Sequence, residues 1–174
     1  MIRWVLGILL LGTAAGASEP LSDADLANLR AVRRRERLLY EAYLQDPDGL
    51  SGVFGYNFDR YFRRNTFFEL AIFGAVSGKR GGYGIAAFGL GQRFELSDRW
   101  EMDIKAVAGS GGGGGLKAGG GLAWHGSSGF AVRVADGLFV ETRLGYLSFP
   151  TGPYDTATLA GGLSFDGWDV ELGD

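Results

Sequence analysis

The sequence predicts an all-β protein: an antiparallel meander closed into a small barrel of about eight strands and preceded by one N-terminal helix. Three observations favour this fold. From about residue 50, apolar and polar residues alternate with a period of two, as in strands with two different faces. The segments between these runs are too short for the crossover helices of a parallel sheet. The 174 residues include 31 glycines, far above the usual share of about 7%, and many of them fall on one strand face.

Composition excludes several classes of protein. With 4 prolines and no G-X-Y period, the glycine does not indicate collagen, and 46% hydrophobic residues are too many for a disordered chain. A net charge of −3 does not favour nucleic-acid binding. The sequence has no cysteine and one histidine, so it predicts no disulfide, no metal site and no cofactor.

Residues 1–17 are predicted to be a secretory signal peptide. Arg3 gives a positive start, Trp4 to Leu11 form an apolar run, and Ala15-Gly16-Ala17 is a small-x-small cleavage site. The apolar run is too short to span a bilayer as a helix, which needs about 20 residues. The predicted organisation is therefore a signal peptide at 1–17, a periplasmic helix and linker at 18–50, and a β-barrel domain at 51–174.

The helix is predicted from Ser22 to about Gln45. Ser22 can cap it, Asp23 and Asp25 suit its first turn, and the segment 46–49 (Asp-Pro-Asp-Gly) stops it. Its apolar side is interrupted by arginine, and a basic run can meet anionic lipid or an envelope protein partner; this run comprises Arg30, Arg33, Arg34, Arg35 and Arg37. A solvated helix is the plain alternative.

The alternating runs define the predicted strands. The main ones are Thr66 to Val76, Tyr83 to Leu96, Trp100 to Ala108, Leu116 to His125, Phe130 to Ala135, Leu138 to Leu147 and Thr156 to Phe165, with Gly52 to Phe58 and Trp168 to Leu172 as weaker flanks. Turn chemistry separates them, including 97–99, 109–115, 126–129, Asp136-Gly137 and Asp166-Gly167. Asp-Gly is a strong hairpin signal because a type I′ turn needs positive φ.

Between Trp100 and Ala108, apolar residues alternate with Glu101, Asp103 and Lys105. This pattern alone fits a soluble barrel, apolar inside, and a membrane barrel, apolar outside. The glycines favour the membrane barrel, because they share the polar face and a narrow lumen has room for small residues among a few long ones. A charge-paired network that fills the lumen is then predicted from Glu69, Glu101, Asp103, Lys105, Lys117, Arg133, Glu141 and Arg143.

Aromatic residues near the strand ends are expected to form interfacial girdles, with ordinary core packing as the alternative; they are Tyr83, Phe94, Trp100, Trp124, Tyr146 and Phe149. With its hairpins, such as that from Tyr83 to Lys105, the chain resembles the small outer-membrane β-barrels of Gram-negative bacteria, of the OmpA transmembrane domain and OmpX type. The resemblance covers about residues 66–165. It implies a location in the outer membrane, contact with outer-membrane lipid, and a non-enzymatic structural or interaction role in the envelope. The chain departs from that family in lacking a terminal aromatic residue.

Two alternatives remain open. His125-Gly126-Ser127, with Glu141 later in the chain, resembles the His-x-Ser arrangement of outer-membrane lipid A deacylases, in which histidine activates serine. The segment 126–129 reads better as a hairpin turn, which would separate Ser127 from the face that carries His125. The other alternative is a soluble periplasmic β-barrel that binds a lipid or a protein partner.

Overall fold

The computed structural model describes residues 29–45 and 49–172. In this part of the chain eight antiparallel strands follow one another: β1 (Leu29–Tyr43), β2 (Ser51–Tyr61), β3 (Thr66–Ser77), β4 (Gly84–Glu95), β5 (Trp100–Gly112), β6 (Leu122–Ala135), β7 (Leu138–Ser148) and β8 (Asp155–Leu172). Each strand pairs with its neighbour in sequence, and β1 pairs with β8 to close the barrel. The predicted all-β meander and its closure are confirmed.

The prediction of an N-terminal helix is wrong over residues 29–43, the part of the predicted helix that the structure describes as a strand. Residues 29–43 form β1, which pairs with both β2 and β8 and belongs to the barrel. The side chains of Arg35, Arg37, Leu39, Glu41 and Tyr43 alternate into the interior, with a period of two. The three- and four-residue spacing of apolar residues and arginines led to the helix prediction. The carboxylates that pair with Arg35 and Arg37 lie on other strands, so the local sequence does not show that these arginines are buried. The signal peptide and residues 18–28 lie outside the described residues.

The region after β5 also differs from the prediction. Residues 113–121 form a loop instead of the start of a strand, since Gly119 and Gly121 have φ of +59° and +80°, which extended backbone does not adopt. The segment 126–129, predicted as a turn, lies inside β6 and pairs with β5 and β7. The predicted strand Phe130 to Ala135 is therefore the second half of β6.

At the C-terminal side, Asp166-Gly167 was predicted as a turn but lies inside β8. The weak flank at 168–172 continues that strand and pairs with the beginning of β1. The Asp136-Gly137 hairpin is confirmed, with Gly137 at φ +71°.

The two ends of the barrel differ. The turns at 62–65, 96–99 and 136–137 lie at one end, together with the start of β1 and the end of β8; we call this the turn end. The described residues between β1 and β2, 44–45 and 49–50, and the longer connections at 78–83, 113–121 and 149–154 lie at the other end, which we call the loop end. Outer-membrane barrels have short periplasmic turns and longer extracellular loops. No helix in the described ranges is long and apolar enough to cross a membrane.

An apolar plug fills the lumen at the loop end. Leu116 and Ala118, from the loop after β5, pack with Phe149 and Tyr154 from the loop before β8. The rest of the plug comes from strand residues and Tyr83, namely Tyr43, Val53, Ala71, Phe73, Tyr83, Ile85, Ala123 and Leu147. The loops therefore fold over and into the barrel mouth.

Candidate functional site: an apolar exterior around a charged interior

The exterior of the barrel is apolar apart from ion-paired side chains near the turn end, such as Arg34, Arg60 and Glu171. Ile104 is 48% exposed and Leu144 65% exposed, while their sequence neighbours Asp103 and Arg143 are buried. The other exposed apolar side chains on the strands include Leu38, Phe54, Leu70, Ile72, Phe88, Leu90, Leu122, Trp124, Phe130, Val140, Leu159 and Leu163. The predicted orientation of β5, with Ile104 outward and Asp103 inward, is confirmed.

The predicted aromatic girdle is confirmed only in part. Phe94, Trp100, Trp124 and Tyr146 are exposed on the outside near strand ends, where aromatic residues suit a membrane interface. Tyr83 and Phe149 are buried in the plug instead. Both belong to loops that fold inward, which a strand-based reading of the sequence does not anticipate.

Arg37 lies at the centre of the interior. Its guanidinium donates to Asp59 Oδ2 at 2.6 and 2.8 Å, to Glu141 Oε2 at 2.8 Å and to Asp103 Oδ2 at 3.1 Å. These carboxylates come from β2, β7 and β5, so one side chain of β1 joins strands on several sides of the lumen. The Arg37 side chain has no exposed surface. Burying such a charge is stabilising only when its partners are in place.

The network continues toward the plug. Arg143 donates to both carboxylate oxygens of Asp103. Lys105 Nζ donates to Glu69 Oε1 and Oε2 at 2.7 Å each, and Asn57 Nδ2 donates to Glu69 Oε1 at 2.8 Å. Every charge in this layer therefore has an opposite partner, which is the condition for holding ions in a confined interior.

A second layer lies toward the turn end. Arg35 Nε donates to Asp166 Oδ1 at 2.6 Å, and its Nη2 is 2.8 Å from Glu101 Oε2. Arg33 also donates to Asp166. The Arg35 guanidinium carbon lies 4.3 Å from the centre of the Phe139 ring, so aromatic faces contribute as well as carboxylates. We call these two layers together the interior network.

The predicted lumen residues Glu69, Glu101, Asp103, Lys105, Glu141 and Arg143 are all buried in the interior network. The prediction that Lys117 faces the lumen is wrong, because this residue lies exposed in the loop 113–121. Arg133 is exposed near the turn end, where its guanidinium lies over the ring of Phe139 at 5.4 Å. Sequence reasoning did not place Arg35, Arg37, Glu41, Asp59 and Asp166 inside, although alternate spacing of arginines along β1 was an available signal.

His125 and Ser127 both face the lumen, because β6 runs straight through the segment predicted as a turn. Their hydrogen-bond partners differ. His125 Nε2 lies 3.2 Å from Thr158 Oγ1 and 3.7 Å from Glu41 Oε2, whereas Ser127 Oγ accepts a hydrogen bond from Arg143 at 3.4 Å. Glu141, the third residue of the deacylase-like arrangement, accepts from Arg37. His125 therefore contacts Thr158 and Glu41, whereas Ser127 and Glu141 both contact Arg143, whose Nη1 lies 3.8 Å from Glu141 Oε1.

Glycine on the inner face makes room for the large residues. A Cβ on Gly91 would overlap the ring of Phe67, and a Cβ on Gly129 would lie 2.5 Å from Arg143 Nη1. The two neighbours, Phe67 and Arg143, are themselves fully or almost fully buried. The prediction that small and charged residues share the confined side is confirmed at these positions.

The interior is a filled structure. Arg37, Asn57, Asp59 and Thr156 have no exposed surface, as expected where side chains occupy the lumen of a narrow barrel. Within the described ranges no group of histidine and carboxylate side chains has the arrangement of a metal site. What the geometry provides is a rigid, charge-paired core inside an apolar wall.

No family model matches the chain, and no curated protein matches it in sequence. Solved structures share its fold. A de novo designed transmembrane β-barrel has a TM-score of 0.55 at 13% identity, covering 79% of this chain and 95% of the design. The crystal structure of Ail, the attachment invasion locus protein of Yersinia pestis, has a TM-score of 0.52 at 10% identity, covering 79% and 98%. The same outer-membrane protein in a phospholipid nanodisc gives 0.55 at 9% identity, covering 79% and 100%. The chain has the fold, and the apolar-out and polar-in arrangement, of a small outer-membrane β-barrel.

Proposed function

We propose that the chain is a non-enzymatic outer-membrane barrel with a structural or interaction role in the cell envelope, exported with cleavage after Ala17. The observation that carries the proposal is the apolar exterior around a filled, charge-paired interior. A soluble periplasmic barrel of this kind would leave large apolar side chains such as Ile72 and Leu144 in water, whereas soluble monomers rarely expose contiguous apolar patches beyond a few hundred Å².

The interior argues for a structural role over transport. A transport pore needs a water-filled path, and here Arg37 and its carboxylate partners occupy the lumen below the apolar plug. The hypothesis of an envelope protein partner that binds a basic helix has no support over residues 29–43. These residues form a strand, and Arg35 and Arg37 point inward. Outer-membrane lipid is then the partner that the exterior fits best.

Fractionation of cells that express the full chain tests location and export together. We expect the protein in the outer-membrane fraction, and an intact mass that corresponds to residues 18–174, because Ala15-Gly16-Ala17 fits a signal-peptidase site. A species that retains residues 1–17 would contradict cleavage. Recovery from the soluble periplasm would contradict membrane insertion.

The absence of enzymatic activity is tested with lipid A. We expect the purified protein to release no acyl chain from lipid A, and His125→Ala to behave as wild type, because His125 and Ser127 have separate partners. Mass spectrometry of the lipid before and after incubation measures the release. Deacylation by wild type that His125→Ala abolishes would establish the hydrolase instead.

A further inference from the structure

A cleft at the turn end combines arginine with aromatic side chains. It lies between the start of β1 and the turn that joins β2 to β3, and its volume is about 240 Å³. The charged and large aromatic side chains that line it include Arg30, Arg33, Arg63, Arg64, Phe62 and Trp168. We call it the arginine cleft.

The described acidic residues near the arginine cleft are paired with Arg33, Arg34, Arg35 and Arg60. Glu171 forms an ion pair with Arg60, and Asp169 pairs with Arg34 at 3.2 Å. Asp166 is held by Arg33 and Arg35 in the interior network.

Three of the four arginines that line the cleft, Arg30, Arg63 and Arg64, have little or no neutralising charge among the described residues, whereas Arg33 is paired with Asp166. Within the described ranges Arg30 and Arg63 have no carboxylate within salt-bridge distance. Arg64 reaches Glu95 only at 3.9 Å, and its side chain is 88% exposed. Among the residues that the structure describes, the arginine cleft therefore carries a net positive charge.

The backbone and the aromatic residues add to this character. Residues 30–33 pair with β8 on one side, but pairing with β2 begins only at Arg34. One edge of this segment therefore borders the cleft without a strand partner. Phe62 and Trp168 are exposed beside it, and aromatic residues next to arginine are typical of the headgroup level of a membrane. The combination fits a ligand that has an anionic group attached to an apolar body.

We propose that the arginine cleft binds the phosphate of an anionic phospholipid in the periplasmic leaflet. The cleft lies at the turn end, which faces the periplasm in barrels with short periplasmic turns. This proposal rests on the proposed membrane location. Arg63 and Arg64 supply charge from a turn, Arg30 supplies it from β1, and Phe62 and Trp168 lie against the glycerol and the first acyl carbons.

Native mass spectrometry of the mature protein in detergent micelles tests the site. The protein is titrated with phosphatidylglycerol, with phosphatidylcholine and with inorganic phosphate, and the bound fraction gives an affinity for each. Arg63→Gln/Arg64→Gln removes two arginines of the cleft. Lys79→Gln/Arg99→Gln is the matched control, because it removes two exposed cations outside the cleft. Cooperative unfolding of each variant in micelles verifies that it is folded.

We expect wild type to prefer phosphatidylglycerol to phosphatidylcholine. Arg63→Gln/Arg64→Gln should lower the phosphatidylglycerol affinity by about 25-fold, or about fivefold for each arginine, and the control should stay within about twofold of wild type. Equal losses in the two double variants, or equal binding of the two lipids, would overturn the proposal. Inorganic phosphate bound as tightly as phosphatidylglycerol would overturn the assignment to a lipid. If the protein folds in micelles but does not prefer phosphatidylglycerol to phosphatidylcholine, only the lipid site in the arginine cleft is refuted. If the protein is absent from the outer-membrane fraction of cells, the proposed function is refuted.

Discussion

Asp103 joins arginines from two different strands in the middle of the lumen. Its carboxylate accepts hydrogen bonds from Arg143 on β7 and from Arg37 on β1. Removing one partner of a buried ion pair typically costs about 3–5 kcal/mol, since the remaining charge stays buried. Asp103 therefore reports on whether the charged face is confined or meets water.

We expect Asp103→Leu to lower the free energy of unfolding in detergent by about 3 kcal/mol. The lower end of the range applies because Arg37 keeps Asp59 and Glu141 as partners. Asp98→Leu, in the exposed turn before β5, is the control and should stay within about 0.5 kcal/mol. Urea unfolding of both variants and wild type measures the difference. Equal tolerance of the two substitutions would mean that Asp103 is solvated.

Single residues were predictable where the alternation was clean. Between Trp100 and Lys105 every second side chain was placed correctly, because one strand fixes its own two faces. Arg35 and Arg37 were not placed, because their partners Asp166 and Asp103 lie 131 and 66 residues away in sequence. An arginine whose carboxylates are that distant looks locally like a solvated residue.

At the scale of elements, the sequence analysis divides two strands incorrectly, β6 at 126–129 and β8 at 166–167. Gly126-Ser127-Ser128-Gly129 has turn composition, yet it pairs without a break with β5 and β7. Gly129 lies in the paired strand, and a Cβ at this position would crowd the side chain of Arg143. Ser127 consequently points inward beside Arg143, and Ser128 points outward.

This orientation predicts opposite outcomes for two adjacent substitutions. Ser127→Leu inserts a bulky side chain beside Arg143 in the filled lumen and should destabilise the barrel by about 1–3 kcal/mol. Ser128→Leu adds apolar surface to the exterior and should be neutral within about 0.5 kcal/mol. Urea unfolding in micelles compares them. If 126–129 were a turn, both variants would be tolerated equally, and that result would contradict a continuous β6.

β1 was predicted as part of a helix, again because the local pattern does not show the strand pairing. Its residues show apolar and arginine positions at three- and four-residue spacing, so local pattern favoured a helix. Closure of the barrel decides otherwise, because without β1 the edge of β8 opposite β7 would be unpaired along Thr158–Leu172. The strands from β3 to β5 were predicted nearly correctly, since turn residues and alternation agree there.

At the scale of the whole molecule, the barrel inverts the polarity of a soluble protein. Charges and small residues fill the inside, the apolar plug seals the loop end, and large apolar side chains cover the outside. The sequence indicated this arrangement through glycine on the polar face. It did not indicate the plug, because the plug depends on loops that fold inward at Leu116 and Phe149.

The central claim is that the exterior contacts lipid. The chain has no cysteine, so a nitroxide attached at Leu144→Cys, on the exposed outer face of β7, reports from one position only. Lys79→Cys, in the exposed loop after β3, is the control in water. Both are reconstituted in phospholipid vesicles and compared by electron paramagnetic resonance for collisions with oxygen and with a water-soluble nickel chelate.

We predict that oxygen reaches the label at residue 144 and the nickel chelate does not, because oxygen concentrates in hydrocarbon and the chelate is excluded from it. The label at residue 79 should show the reverse preference. If the chelate reaches residue 144 as freely as residue 79, the outer face of the barrel lies in water and the account of a membrane barrel is wrong.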